Sequence, residues 1–81
     1  MHAGHLATSA RLKRTYHMIR NRWKTTAEIQ DYTRSVAVHS DVAAVRAELK
    51  KRKMMVQSKC LGKNTLGNMV WAYRAIKKEN Q

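Results

Sequence analysis

Several residue types are scarce in this 81-residue chain, and each scarcity narrows the choice of structure. Proline is absent, which favours helices without sharp breaks, and five methionines indicate an adaptable core. The single cysteine, Cys60, excludes an internal disulfide and suits a reducing cytoplasm, where we expect the protein. No apolar run approaches the roughly 20 residues of a membrane span. Residues 1–10 lack the basic and apolar segments of a secretory signal.

Acidic residues are also few: five Asp and Glu stand against 17 Lys and Arg, for a net charge of +12. Such a charge attracts polyanions, either nucleic acids or an anionic membrane surface. The cations are unevenly distributed. Residues 11–24 and 50–78 contain no acid, whereas residues 25–49 hold four acids and only two cations. The length allows one domain with one modest core, and its middle segment is not the source of the positive charge.

Hydrophobic spacing predicts two helices in the first half of the chain. The first covers about residues 9–22, where Ser9 is a candidate cap. Its apolar stripe consists of Leu12, Tyr16, Ile19 and Trp23. Thr25 and Glu28 fit a capping box that begins a second helix, which extends to about Tyr32.

A third helix, over about residues 35–51, has the clearest period. Ser35 is its expected cap, after a polar break at residues 33–35. The residues of its apolar stripe recur at spacings of four, three and four: Val38, Val42, Val45 and Leu49. The outward face is then polar or small, and the basic run Lys50 to Lys53 ends the helix, where cations complement the helix dipole.

After this helix the pattern changes to that of strands. Met54 to Leu61 and Met69 to Ile76 flank a polar loop that contains glycine, which predicts a β-hairpin. We therefore expect a mainly α fold with a C-terminal β-hairpin, a three-helix winged helix-turn-helix. Its domain covers residues 9–76, between flexible tails at 1–8 and 77–81.

A helix-turn-helix places its second helix in the major groove, where small or polar side chains contact base edges. The residues expected to contact bases are Ser35, Val36, His39, Ser40 and Ala43. The residues expected to contact phosphates are Arg22, Lys24, Arg34, Arg46, Lys50 and Lys51, with Lys59, Lys63 and Asn64 on the wing. Arg46 has an alternative, a local ion pair with Glu48, Asp41 or an acid of the second helix.

Other chemistry finds little support in the sequence. The four histidines and Cys60 lack the spacing of a zinc site, and His2 and His5 lie in the expected tail. We expect neither a metal, a cofactor nor a small-molecule substrate, and no enzymatic activity. Cys60 is expected to be a buried small residue. Core packing is favoured over base stacking for four of the five aromatic residues, Tyr16, Trp23, Trp71 and Tyr73.

The sequence resembles the small winged helix-turn-helix proteins of bacteriophages and prophages. The resemblance covers about residues 9–76. It rests on Thr26, Glu28 and Ile29, on Ala37 to Ser40, on Val45 and Arg46, and on Trp71, Tyr73 and Arg74. It implies a regulatory DNA-binding domain with His39 and Ser40 on the recognition helix. Two features depart from the pattern, since glycine is missing both from the turn at residues 33–35 and from the end of the third helix.

The leading hypothesis is a sequence-specific protein that binds double-stranded DNA, a transcriptional regulator or accessory factor. Such proteins often bind as dimers, although no dimerisation segment is evident. One alternative is an RNA-binding or ribosome-associated basic protein. The other is a protein-interaction module that targets a host protein. No membrane partner is expected.

Overall fold

The computed structural model describes residues 8–78, so the segments 1–7 and 79–81, with most of both expected tails and with His2 and His5, lie outside the described residues. Three helices and three strands follow one another along the chain. They are α1 (Thr8–Ile19), β1 (Lys24–Thr25), α2 (Thr26–Thr33), α3 (Val38–Lys50), β2 (Met54–Lys63) and β3 (Met69–Lys77). The sheet is antiparallel with the order β1-β3-β2.

The three helices and the C-terminal hairpin are confirmed, but the structure contains more strand than the expected mainly α fold. Residues before α2 add β1 to the free edge of β3, where Lys24 pairs with Tyr73 and Thr25 pairs with Ala72. The fold is therefore mixed α/β. Lys77 belongs to β3, and the Lys78 amide donates a hydrogen bond to the Lys53 carbonyl at 3.0 Å, so the ordered structure extends beyond residue 76.

The first helix is shorter than its apolar stripe predicts. It ends at Ile19 because the next residues join the sheet: Arg20 bridges to Ala75, and the Asn21 amide donates to the Ala75 carbonyl at 2.8 Å. Asn21 turns the chain with a positive φ of 57°. Trp23 consequently lies outside the helix, beside the sheet, whereas Ile19 is fully buried as expected.

The core lies between the helices and one face of the sheet. The apolar stripe of α3 is confirmed, since all four of its residues are buried. They pack in one cluster with Ile19 of α1, Ile29 of α2, and Val56, Tyr73 and Ala75 of the hairpin. Because α3 is anchored along its whole length, its opposite face is presented to solvent at a defined orientation.

Candidate nucleic-acid interface

The turn between α2 and α3 forms without glycine. Arg34 adopts the left-handed conformation instead, at φ 58° and ψ 24°. The buried Thr33 hydroxyl donates to the Ile29 carbonyl at 2.9 Å and accepts from the Ser35 amide at 3.2 Å. Left-handed backbone is costly for a residue with a side chain, by roughly 1 kcal/mol, so the surrounding hydrogen bonds hold Arg34 there.

Ser35 is misplaced by the sequence-based prediction. It neither caps α3 nor faces outward: the helix begins at Val38 after Ala37, and Ser35 is 4% exposed. Its hydroxyl accepts a hydrogen bond from the Ala37 amide at 3.0 Å. Ser35 therefore shapes the turn, and its burial removes it from any direct contact with a base.

The other four expected base-contacting residues are exposed. His39, Ser40 and Ala43 lie on α3, while Val36 lies in the preceding turn and is 90% exposed. A shallow depression of about 230 Å³ between α2 and the start of α3 collects most of this set. It is lined by Thr26, Gln30, Ser35, Val36, Ala37, Val38, His39 and Ser40.

Thr26 and Gln30 in this depression are absent from the sequence-based set. Both belong to α2 and stand four residues apart, which places them on one side of that helix. The Thr26 hydroxyl also donates to the Trp71 carbonyl at 3.4 Å. The spacing of these two polar residues can be read from the sequence. Only the packing of α2 against α3 shows that they lie on the side of α2 that faces the depression.

The most specific polar contact on α3 joins His39 to Tyr73. The His39 Nδ1 atom lies 2.6 Å from the Tyr73 hydroxyl, and the two rings meet edge to face with centroids 5.9 Å apart. His39 is exposed and Tyr73 is buried. Burial raises the pKa of the Tyr73 hydroxyl, although the nearby Arg46 charge acts in the opposite direction. The hydroxyl donates to Nδ1 or accepts from it according to the tautomer of His39.

The acids of α3 lie on a different side from His39. Asp41 and Glu48 are seven residues apart and so share one side of the helix, towards α1. Asp41, whose side chain is 4% exposed, accepts from the Arg11 Nε at 2.9 Å, and Glu48 pairs with Lys51 at 3.6 Å. His39, Ala43 and Lys50, at spacings of four and seven residues, share another side of α3, and that side carries no acid.

Several of the expected phosphate contacts are already occupied within the protein. Lys24 pairs with Glu28 at 3.6 Å, as Lys51 does with Glu48. The Arg46 guanidinium donates to the Val56 carbonyl at 3.5 Å. None of the acids considered as its ion-pair partners lies within ion-pair distance of it. The Asn64 side-chain oxygen accepts from the Leu66 and Asn68 amides at 2.9 and 3.0 Å, which shapes the hairpin loop.

Four of the nine expected phosphate contacts remain available. Within residues 8–78, no carboxylate lies at ion-pair distance from them. They are Arg22, Arg34, Lys50 and Lys63, and all four are exposed. They lie before β1, in the turn between α2 and α3, at the end of α3 and at the end of β2, respectively.

The helix-free face of the sheet carries a cationic aromatic cluster. Lys59 Nζ lies 4.1 Å and the Arg74 guanidinium 4.6 Å from the centre of the Trp23 ring. Arg74 also donates twice to the Gln57 side-chain oxygen, at 2.6 and 3.0 Å. The Trp23 ring therefore packs against cations of the sheet and not in the core, contrary to the expectation of core packing.

The far half of the hairpin is unexpectedly apolar and exposed. Trp71 is 38% exposed, and Cys60, its partner in the strand register, is exposed too, contrary to the expectation that both are buried. Both side chains lie on the helix-facing side of the sheet, yet the helices leave them exposed. A register shift between Cys60 and Gly62, where φ is 107°, bends β2 at this point.

The capping box at the start of α2 is confirmed. The Glu28 amide donates to the Thr25 hydroxyl at 3.2 Å, and the Thr25 amide donates to the Glu28 carboxylate at 3.0 Å. The hydrogen bond from the Thr25 amide is the main cause of a lowered pKa at Glu28, with smaller help from Lys24. Glu28 therefore stabilises the start of α2, which lies beside the depression.

In the described part of the chain, no three His, Cys, Asp or Glu side chains are grouped to hold a metal ion. None of its helices is long and apolar enough to cross a membrane. Comparisons with models of known protein families, with curated proteins and with solved structures find no match. The residues of the site consequently carry the functional argument.

Proposed function

We propose that the protein is a winged helix-turn-helix domain that binds double-stranded DNA sequence-specifically. In this proposal α3 is the recognition helix, α2 supports it, and the β2–β3 hairpin is the wing. The observation that carries the proposal is the side of α3 with His39, Ser40 and Ala43: it is exposed, slim and free of acids, and it lies close to cations that have no acid partner among residues 8–78. The order of elements also agrees, because two helices joined by a four-residue turn are followed directly by a hairpin.

The dimensions of α3 suit a major groove. Thirteen residues span about 20 Å, and the groove is about 12 Å wide, so its floor admits a helix with small outward side chains. Ser40 and Ala43 let the backbone come near the base edges. His39 and Ser40 supply hydrogen-bonding groups, and Ala43 or Val36 can contact a thymine methyl.

The available cations suit the phosphates on either side. Arg34 stands just before α3, Lys50 at its end and Lys63 near the tip of the wing. Because each neutralised phosphate contributes about −0.9 to the slope of log affinity against log salt, these three cations together with Arg22 predict a slope of about −4. Lys24 and Lys51 already pair with Glu28 and Glu48. They would make the slope steeper only if they broke these ion pairs to bind phosphates.

The test begins with selection of bound duplexes from a random pool. His39→Ala is expected to weaken the selected duplex more than random DNA, by about tenfold against about twofold. Lys50→Ala is expected to weaken both equally and to make the salt slope shallower by about 0.9. Lys51→Ala is the matched control, since Lys51 already has Glu48, and it should change the slope less.

A pool from which no sequence is enriched would contradict specific recognition. Equal loss on both DNAs for His39→Ala would remove it from base contact. Competition with a structured RNA at the same salt separates the runner-up function, because stronger binding to the RNA would favour it over duplex DNA.

The exposed apolar half of the hairpin favours one further candidate, a protein-interaction module. Its exposed apolar residues are Leu61, Leu66, Met69 and Trp71. Exposed apolar side chains gathered on one element are common at protein interfaces. Sedimentation of the pure protein with and without duplex DNA tests whether the partner is a second copy of this chain. A dimer that forms only on DNA would make the hairpin part of DNA binding.

A further inference from the structure

We propose that the Tyr73 hydroxyl fixes His39 so that its Nε2–H group is presented to a hydrogen-bond acceptor on a base, and that this base is guanine. The inference rests on the proposed DNA-binding function and names the base that the recognition helix selects. Tyr73 is a positioning residue here, and His39 makes the contact.

The hydrogen bond determines where the imidazole carries its proton. We assign the Tyr73 hydroxyl as the donor to Nδ1, 2.6 Å away, because it has no other hydrogen-bond partner among residues 8–78 and its proton would otherwise be left unsatisfied. A neutral imidazole has one acceptor and one donor nitrogen, so an acceptor at Nδ1 requires the proton at Nε2. A protonated imidazole also donates from Nε2, with Tyr73 as the acceptor. The outward group is a donor in both states.

The surroundings of the His39–Tyr73 pair restrict the imidazole ring of His39 to one orientation. Tyr73 lies on β3, the central strand, where it is flanked by Lys24 of β1 and Ser58 of β2. Its ring is packed in the core and meets the His39 ring at 73°. The two imidazole nitrogens point in divergent directions, so a ring whose Nδ1 faces Tyr73 directs Nε2 away from the hydroxyl. An orientation set before binding spares the entropy of fixing a free side chain.

The chemistry of the major groove then selects among the bases. Guanine offers two adjacent acceptors, N7 and O6, whereas adenine offers N7 beside an amino donor and thymine offers O4 alone. Cytosine presents an amino donor, which repels an N–H group. A fixed donor at Nε2 therefore matches guanine best, and a freely rotating histidine, which can present either nitrogen, would discriminate less.

The first experiment examines the free protein. Long-range ¹H–¹⁵N correlation spectra assign the imidazole nitrogens, and the spectrum of His39→Gln identifies those of His39. We expect protonation at Nε2 and an Nδ1 resonance shifted by hydrogen bonding, and the shift should vanish in Tyr73→Phe. Tyr16→Phe is the matched control, since it removes a hydroxyl whose one hydrogen-bond partner among residues 8–78 is the Met54 sulfur, at 3.7 Å. Protonation at Nδ1 in the neutral ring, or an unchanged Nδ1 in Tyr73→Phe, would overturn the positioning role.

The second experiment uses the selected duplex with 7-deazaguanine, which lacks the N7 acceptor, at each guanine in turn. One position should cost wild-type protein about fivefold in affinity and cost His39→Ala nothing. Tyr73→Phe should bind the unmodified duplex about threefold more weakly, with random DNA unchanged, whereas Tyr16→Phe should match wild type. Thermal unfolding of both variants separates a loss of stability from a loss of orientation.

The outcomes distinguish the two proposals. Enrichment of a sequence without a His39-dependent guanine would overturn the guanine assignment and leave DNA binding intact. Binding to all duplexes alike would overturn specific recognition and the guanine assignment together. In either case, the spectra of the free protein test whether Tyr73 positions His39.

Discussion

The polar side chains on the two sides of α3 have different environments. On the α1 side, Asp41 is buried and held by Arg11 at 2.9 Å, so its charge is satisfied inside the protein. On the opposite side, His39 and Ser40 are exposed. One helix thus combines a structural ion pair with a face that is open to a ligand. Three of the four acids of the middle segment, Glu28, Asp41 and Glu48, already pair with cations of the same chain, which weakens their repulsion of an approaching polyanion.

Breaking the ion pair should have the largest effect on this comparison. Arg11→Met would leave the Asp41 carboxylate buried without its partner, and we expect a loss of about 2–4 kcal/mol in the free energy of unfolding, measured in urea. Asp41→Asn together with Arg11→Met should recover much of that loss, because an uncharged amide costs less to bury. A single variant as stable as wild type would show that the pair does not support α3.

A smaller effect is expected at the turn that leads into the open side. Arg34→Gly should raise the free energy of unfolding by up to about 1 kcal/mol, because glycine adopts the left-handed conformation without steric cost. The same change removes an unpaired cation, so the salt slope for DNA should become shallower by about 0.9. Arg34→Ala is the control: it removes the charge but retains the strain. Destabilisation by glycine would contradict strain at this position.

The smallest effect concerns the exposed pair at the start of α2. The Glu28 pKa is lowered from its ordinary value of 4.5 in the folded protein, so the carboxylate contributes stability above that pH. This contribution is lost as the pH falls through the lowered value. Glu28→Gln should therefore flatten the fall in the urea midpoint below about pH 4.5. An identical acid dependence in both proteins would remove Glu28 from the linkage.

The sequence predicts the elements that depend on local chemistry. The α3 stripe has four buried residues at helical spacing, and the capping box needs only a hydroxyl and a carboxylate three residues apart. The errors arise where distant segments meet. Trp23 continues the apolar spacing of α1, yet the chain leaves the helix at Ile19 to pair with β3, more than 50 residues away. Ser35 has the chemistry of a cap, but it is buried in the turn instead.

The candidate site divides in the same way. Val36, His39, Ser40 and Ala43 are exposed as their spacing predicts, whereas the occupied cations and the contributions of Thr26 and Gln30 depend on which elements become neighbours. Nothing in the local pattern distinguishes Lys59, which lies against Trp23, from Lys63, which is free of any such contact among residues 8–78.

By itself, the sequence determined the charge of +12, its absence from the middle segment, the three helices and the hairpin, because composition and periodicity act over a few residues. Only the tertiary structure decided that β1 completes the sheet, that Arg11 holds Asp41, and that Tyr73 meets His39 across 34 positions of the chain. Such contacts depend on packing between distant segments, and no local pattern encodes which side chains will face each other.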